Sequence, residues 1–155
     1  MSGYTQIVAF WIDDERFAVT LPRVERIVRA VEIAHLPDAP EIVYGVINVE
    51  GRIVPVVNTR KRLGMHERDI ELDDLFVIVS GDGRSLALVA DEVLPVLEIP
   101  DKLLFSSDEV LPGRRFVQGI ADMENGMIMV LDIDRVLSNE EHKDLQRASS
   151  ALSEE

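Results

Sequence analysis

The chain has 155 residues, with 16 Lys and Arg against 29 Asp and Glu, a net charge of −13. Such a surface repels phosphate backbones and anionic lipid, which disfavours nucleic acid and membrane surfaces as partners and favours basic protein surfaces. The absence of cysteine excludes a disulfide framework, a thiolate nucleophile and a cysteine zinc site, and is in keeping with a reducing cytoplasm.

Hydrophobic residues make up 46%, enough for the core of one ordinary domain or of two small lobes that share one, and with only 5% aromatics that core is aliphatic. The N-terminus lacks the basic stretch and small-residue cleavage site of a signal peptide, and no apolar run approaches the ~20 residues of a membrane span.

In chain order, residues 6–12 and 16–21 predict a hairpin around Asp13-Asp14-Glu15, ended by Pro22, which cannot donate to a ladder. Val24, Ile27, Val28 and Val31 continue the apolar pattern as a third strand or a short helix; their spacing does not decide which. A loop with two prolines, 35–41, leads to a hairpin of strands 44–50 and 52–58, in which Pro55 implies an edge position or a bulge. Arg60–Leu63 predicts a helical turn, and 64–73 a polar connector between lobes.

The second half restarts the pattern. Leu75–Val79 and Arg84–Ala90 flank Gly81-Asp82-Gly83, Val93–Ile99 matches Val24–Val31, and a loop runs from Pro100 to about Arg114. A hairpin of 116–123 and 127–132 follows. Ser138 and Glu141 form a capping box, and Leu145, Ala148 and Leu152 share one helical face before a frayed terminus.

The two later hairpins are copies of one another. GVINVEGRIVPVVNTRKR from Gly45 and GIADMENGMIMVLDIDRV from Gly119 align without a gap: Gly45 meets Gly119, Asn48 meets Asp122, Glu50 meets Glu124, Asn58 meets Asp132 and Leu63 meets Leu137. Their turns are expected at Glu50-Gly51 and Asn125-Gly126, since Asn-Gly between apolar runs is a strong hairpin signal. Duplication fixes the expected architecture: lobe 1 at about 6–63, lobe 2 at about 74–137, each of about five strands, then a C-terminal helix at about 138–152. A groove is expected between the lobes.

Catalytic signals are weak. His35, His66 and His142 have no neighbours at metal-ligand spacing and fit exposed polar positions. Ser80–Gly83 lacks the Lys-Ser/Thr of a phosphate loop. The acidic runs Asp13–Glu15 and Glu71–Asp74 lack the EF-hand spacing and fit solvated turns. Asn48, Asn58, Asp122 and Asp132 are either strand-end caps or functional groups, and their recurrence in both copies favours caps. No metal, no cofactor and no enzymatic activity is expected, and a binding module is the simplest reading.

The stretch from Gly45 to Arg60, supported by Phe17–Ile27, Leu86–Val93 and Gly119–Leu137, resembles the CheW family of chemotaxis coupling proteins from about Gln6 to about Ala151. The resemblance implies an all-β fold of two tandem five-stranded SH3-like barrels within a single CheW-like domain. It implies a cytoplasmic, non-catalytic adaptor that bridges a chemoreceptor's cytoplasmic tip to the regulatory domain of a CheA-type histidine kinase, and that is monomeric when alone. Kinase-binding positions would be Leu21, Val24 and Arg26, with Val93 and Val96 at the pseudo-equivalent end; receptor-binding positions would be Val46, Asn48, Glu50, Leu75, Leu86 and Ala87. Three residues depart from the family pattern: Glu50 for its usual Arg, Asn58 for its usual Asp, and Arg26 for its frequent Glu. Glu50 is therefore expected to be exposed and to need a Lys or Arg on its partner. The alternatives are a module that binds the kinase alone, and a small-molecule sensor or enzyme that uses the inter-lobe groove.

Overall fold

The computed structural model describes residues 3–81, 83–106 and 116–153. β1 (Tyr4–Ile12) and β2 (Glu15–Thr20) form the opening hairpin, with Asp13 at φ 53 in its turn. A 3-10 turn at Leu21–Arg23, with Pro22 inside it, leads into β3 (Val24–Arg29), so the open question about this segment resolves as strand. β4 (Val43–Val49) and β5 (Arg52–Val57) form the first repeated hairpin, followed by the single helical turn α1 (Thr59–Arg62). β6 (Leu75–Gly81) and β7 (Arg84–Ala90) form the next hairpin; Asp82 lies outside the described residues.

The run Val93–Ile99, expected to match Val24–Val31, holds two short strands, β8 (Glu92–Val93) and β9 (Leu97–Pro100). The loop expected from Pro100 begins with a 3-10 turn at Asp101–Leu103 and a strand, β10 (Leu104–Ser106); the remainder, 107–115, lies outside the described residues. β11 (Val117–Met123) and β12 (Gly126–Leu131), a 3-10 turn at Ile133–Arg135 and the helix α2 (Asn139–Ser153) complete the chain. The capping box of α2 is present: Ser138 N–H donates to Glu141 Oε1 at 2.7 Å, and Glu141 N–H to Ser138 Oγ at 3.1 Å. Leu145 and Ala148 are buried on its inner face, while the Leu152 side chain lies outside the described residues.

The duplication extends to register. Gly45 pairs with Val56 and Gly119 with Val130, and each hairpin has a register shift just before that glycine, at Val43/Gly45 and at Val117/Gly119. At Gly45 a side chain is impossible, because a Cβ would stand 2.3 Å from the Ala34 carbonyl, where Ala34 and Val46 exchange two backbone hydrogen bonds of 2.8 Å. Pro55 is not on an edge: β5 has neighbours on both sides, and the irregularity it required lies across the hairpin, in the shift of β4. The second turn is Glu124-Asn125, one residue before the Asn-Gly signal, and Gly126, at φ 124, opens β12.

The expected lobe boundaries do not survive. One sheet has the order β10-β11-β12-β2-β1-β8, with β9 also on β1; the other has the order β3-β6-β7-β5-β4. Each sheet takes its central hairpin from one half of the chain and its flanking strands from the other. β12 runs parallel to β2 at Val130↔Ala18, and β5 parallel to β7 at Val56↔Ala87. The cut at 64–73 therefore separates nothing: the two copies exchange strands, and the first barrel has seven strands rather than the five expected.

Packing follows from this exchange. Ile7, Ala9, Ala18, Ile99, Ala121, Ile128 and Val130 fill the first barrel, and Ile47, Val49, Val54, Val56, Phe76, Ile78 and Ala87 fill the second. The other faces of the same strands supply a third cluster between the sheets, in which Phe10, Phe17 and Val19 meet Val77, Val79, Leu86 and Leu88, sealed by Leu137 and Leu145.

Truncating Phe17, 1% exposed in that shared cluster, is expected to cost about 3–5 kcal/mol of stability, because the cavity cannot collapse between two sheets. Ile53→Ala, at a side chain 53% exposed, should stay within ~0.5 kcal/mol. Denaturant unfolding of the two variants checks the contrast; equal losses would refute the shared core.

Candidate functional site

The structure brings Leu21, Val24, Arg26, Asn48 and Glu50 to one end of the second barrel. Leu21 is half-buried in the 3-10 turn, and Val24 is half-buried against the shared core. Asn48 is exposed, and its Oδ1 accepts from Gly51 N–H at 2.8 Å, which holds the tight turn. Glu50 occupies that turn at φ 49, beside Gly51 at φ 86, a left-handed pair that suits a two-residue hairpin.

Arg26 Nη1 lies 2.8 Å from Glu50 Oε1. The two charge-reversed departures from the family pattern are therefore paired with each other within the chain. Glu50 thus has a cation within its own chain, in an exposed pair. Beside them Arg52 donates to Glu25 at 3.3 Å, and Ser85 Oγ donates to both Glu25 carboxylate oxygens. Burial pushes the Glu25 pKa up, but the bonds from Ser85 and Arg52 outweigh it and hold the group below the ordinary carboxylate range. Next to Arg26 on β3, Ile27 is 40% exposed, and beyond the strand Val31 is 51% exposed, neither anticipated as an interaction residue.

Other expected positions fall elsewhere. Val93 and Val96 lie on the first barrel, Val93 half-buried opposite Phe10 and Val96 48% exposed. Leu75 is half-buried at the start of β6. Val46, Leu86 and Ala87 are corrections: they are 5%, 1% and 0% exposed, and their side chains belong to the core clusters, so no partner can reach them without opening the fold.

A charged network that sequence reasoning missed joins the second barrel, at the end where β5 runs into α1 and β7 finishes, to the first barrel's opening hairpin. Arg60, only 6% exposed, donates to Asp13 Oδ2 at 2.6 Å and to Asp91 at 2.8 and 3.0 Å. Asp13 belongs to the first barrel's hairpin turn, and Asp91 follows β7 of the second. Arg68 bridges Asp91 to Asp74, with three contacts of 2.8 Å. The acidic runs expected as solvated turns thus supply the anions of a clamp. Asn58, the third departure, is the cap of α1: it accepts from Lys61 N–H at 3.1 Å and donates to Glu67 at 2.8 Å.

On the opposite side the duplication places a second clamp of reversed sign. Asp132 caps its turn as Asn58 does, and Asp134 stands where Arg60 stands. Arg23 donates to Asp134 at 3.1 and 2.9 Å and to the Ser80 carbonyl at 3.3 Å, tying the first barrel's end to the second barrel's hairpin. Gly81 keeps this contact close, since a Cβ would stand 2.7 Å from Ile133 Cγ2 and 2.8 Å from Asp134 Oδ1 and force those side chains to shift.

Among the described residues no group of three or more His, Cys, Asp and Glu is placed to hold a metal ion, and no helix is long and apolar enough to cross a membrane. His35 and His66 are exposed as expected, whereas His142 is half-buried, its Nε2 without a partner among the described residues.

The chain matches the model of the CheW-like domain over residues 6–141. It is 27% identical over 144 residues to the chemotaxis protein CheW of Rhizobium meliloti, covering 92% of this chain and 93% of that protein. It is 28% identical over 132 residues to the chemotaxis protein CheW of Thermotoga maritima, covering 85% and 87%. Among solved structures, the scaffolding protein TtCheW of Thermoanaerobacter tengcongensis superimposes with a TM-score of 0.81 at 28% identity, covering 89% of this chain and 95% of that one.

The clamp predicts an acid limb in stability. The hydrogen bond from Arg60 holds Asp13 below the ordinary carboxylate range; burial opposes the same shift at Asp74 but is outweighed by Arg68 and the Glu71 N–H. Groups depressed in the folded state stabilise fully above their unfolded values, and that stabilisation is lost as pH falls below about 4. Unfolding midpoints measured from pH 6 to pH 3 should fall in the wild type and fall less steeply in Arg60→Met. Parallel curves would show that the clamp does not couple protonation to folding.

Proposed function

This chain belongs to the CheW-like domain family, and we propose that it is a non-catalytic cytoplasmic adaptor coupling chemoreceptor tips to the regulatory domain of a CheA-type histidine kinase. The observation that supports this reading most is the end of the second barrel. There a family match over residues 6–141 coincides with half-buried Val24 and exposed Ile27 on β3, the strand whose Glu25 and Arg26 are held in ion pairs with Arg52 and Glu50. A partner domain of the same barrel type would meet apolar side chains beside charge that is already paired, a combination found in specific interfaces.

The kinase contact uses Leu21, Val24, Arg26 and Ile27, with Val93 and Val96 serving the second junction on the other barrel. The receptor contact uses Asn48, Glu50 and Leu75, the three receptor positions with accessible side chains. The Arg26–Glu50 pair carries polarity opposite to the family's usual arrangement. It preserves the local ion pair while changing which charge each partner meets, a way for parallel systems to discriminate.

Pull-downs against receptor tips and the kinase regulatory domain test the proposal. Both should be retained; kinase alone would reduce the chain to a kinase-binding module, and neither would overturn the reading. Ile27→Glu should weaken kinase retention by about tenfold or more, because its carboxylate must be desolvated without a partner. The reciprocal change Arg26→Glu with Glu50→Arg should leave thermal stability within ~0.5 kcal/mol of wild type, since an exposed pair is only exchanged. Either single change should lower the affinity for the native partners.

A further inference from the structure

The parallel pairing of β2 with β12 sets two hairpin turns side by side at one end of the first barrel, 13–14 and 124–125. Between them is a groove of about 450 Å³. It is lined by Trp11 and by Arg16, a residue only 7% exposed whose guanidinium lies 5.3 Å over the indole ring. Arg16 donates to the Asn125 carbonyl at 3.0 Å and to Asn125 Oδ1 at 3.3 Å, so its position is fixed from the neighbouring turn. One wall is Met127, 63% exposed, backed by half-buried Met129; the rim carries the exposed carboxylates Asp14 and Glu15.

The other barrel shows that this groove is not a necessary result of the fold. There the pair equivalent to Trp11 and Arg16 is Ser80 and Ser85, and Glu25, Ser85 and Arg52 bond across that end. In the first barrel the same space is lined by a half-buried aromatic ring and two thioethers. Methionine and tryptophan form an adaptable apolar surface suited to a large side chain.

We propose that this groove is a docking site for a segment of another protein that presents a large apolar side chain next to lysine or arginine. Charge selects the occupant. The accessible charges at the rim are carboxylates, the one cation beneath them is covered and engaged with Asn125 and Trp11, and the whole chain carries −13, which disfavours a second copy of itself. The site uses none of the residues assigned above to receptor or kinase, so its failure and the failure of that assignment are distinguishable.

Trp11 is the only tryptophan and lines the groove, so its emission reports occupancy directly. The full chain would be used to select from a library of nine-residue peptides with a central phenylalanine and random flanks. Selected peptides should carry Lys or Arg beside the phenylalanine and shift Trp11 emission saturably. Met127→Asp should reduce their affinity about tenfold or more with an unchanged unfolding midpoint, the side chain being exposed. Asp14→Asn with Glu15→Gln should reduce it about three- to tenfold and flatten its salt dependence. The proposal is overturned if no peptide is enriched, if the selected flanks are acidic or uncharged, or if binding leaves Trp11 emission unchanged. It is also overturned if sedimentation shows self-association that Met127→Asp abolishes, since a second copy would then be the occupant.

Discussion

Arg60 is the contact on which the arrangement depends. A guanidinium removed from water is tolerated only when fully paired, and this one has carboxylates from both barrels: Asp13 from the opening hairpin and Asp91 from the end of β7. Arg68 and Asp74 extend the pairing into the connector, so a segment without regular structure is tied by charged contacts to the network that joins both barrels. The duplication repeats the device with its charges exchanged, Arg23 from one barrel to Asp134 and the Ser80 carbonyl. Two clamps on opposite sides of the shared core fix the angle between the barrels, and with it the relation between surfaces on each.

Strand exchange explains why clamps can act this way. Each barrel depends on strands delivered by the other half of the chain, so neither half can leave without breaking a sheet. β1, β2, β6 and β7 bury one face in their own barrel and the other in the shared cluster. The half-exposed strand β3 carries the accessible side chain Ile27, and Val96 is exposed in the link between the short β8 and β9.

Much of this was legible in the sequence. The repeated hairpins, the first of their turns, the capping roles of Asn48, Asn58 and Asp132 and the box at Ser138 all follow from local rules, and the structure keeps even the matching irregularities before Gly45 and Gly119. What failed was non-local. Periodicity identifies a strand but not the edge it joins, so the two copies were expected side by side rather than interlocked. Val46, Leu86 and Ala87 were expected at a receptor groove because the family resemblance implied it, whereas their strands lie between two cores and leave no wet face there. The clamp was missed because Asp13 and Asp74 stand in acidic, polar segments that resemble solvated turns, and nothing local marks their distant arginines. The Arg26–Glu50 pair was hidden for the same reason: each departure could be seen, but not that they meet.

The central claim is that the barrels form one structural unit joined by exchanged strands and paired clamps. Native-state hydrogen exchange on the protected amides of β1–β2 and of β6–β7 tests it most directly. The account predicts one opening free energy for both hairpins, falling together when Arg60 is replaced by Met. A hairpin that stays protected after the other has exchanged, or a loss confined to one barrel, would contradict it.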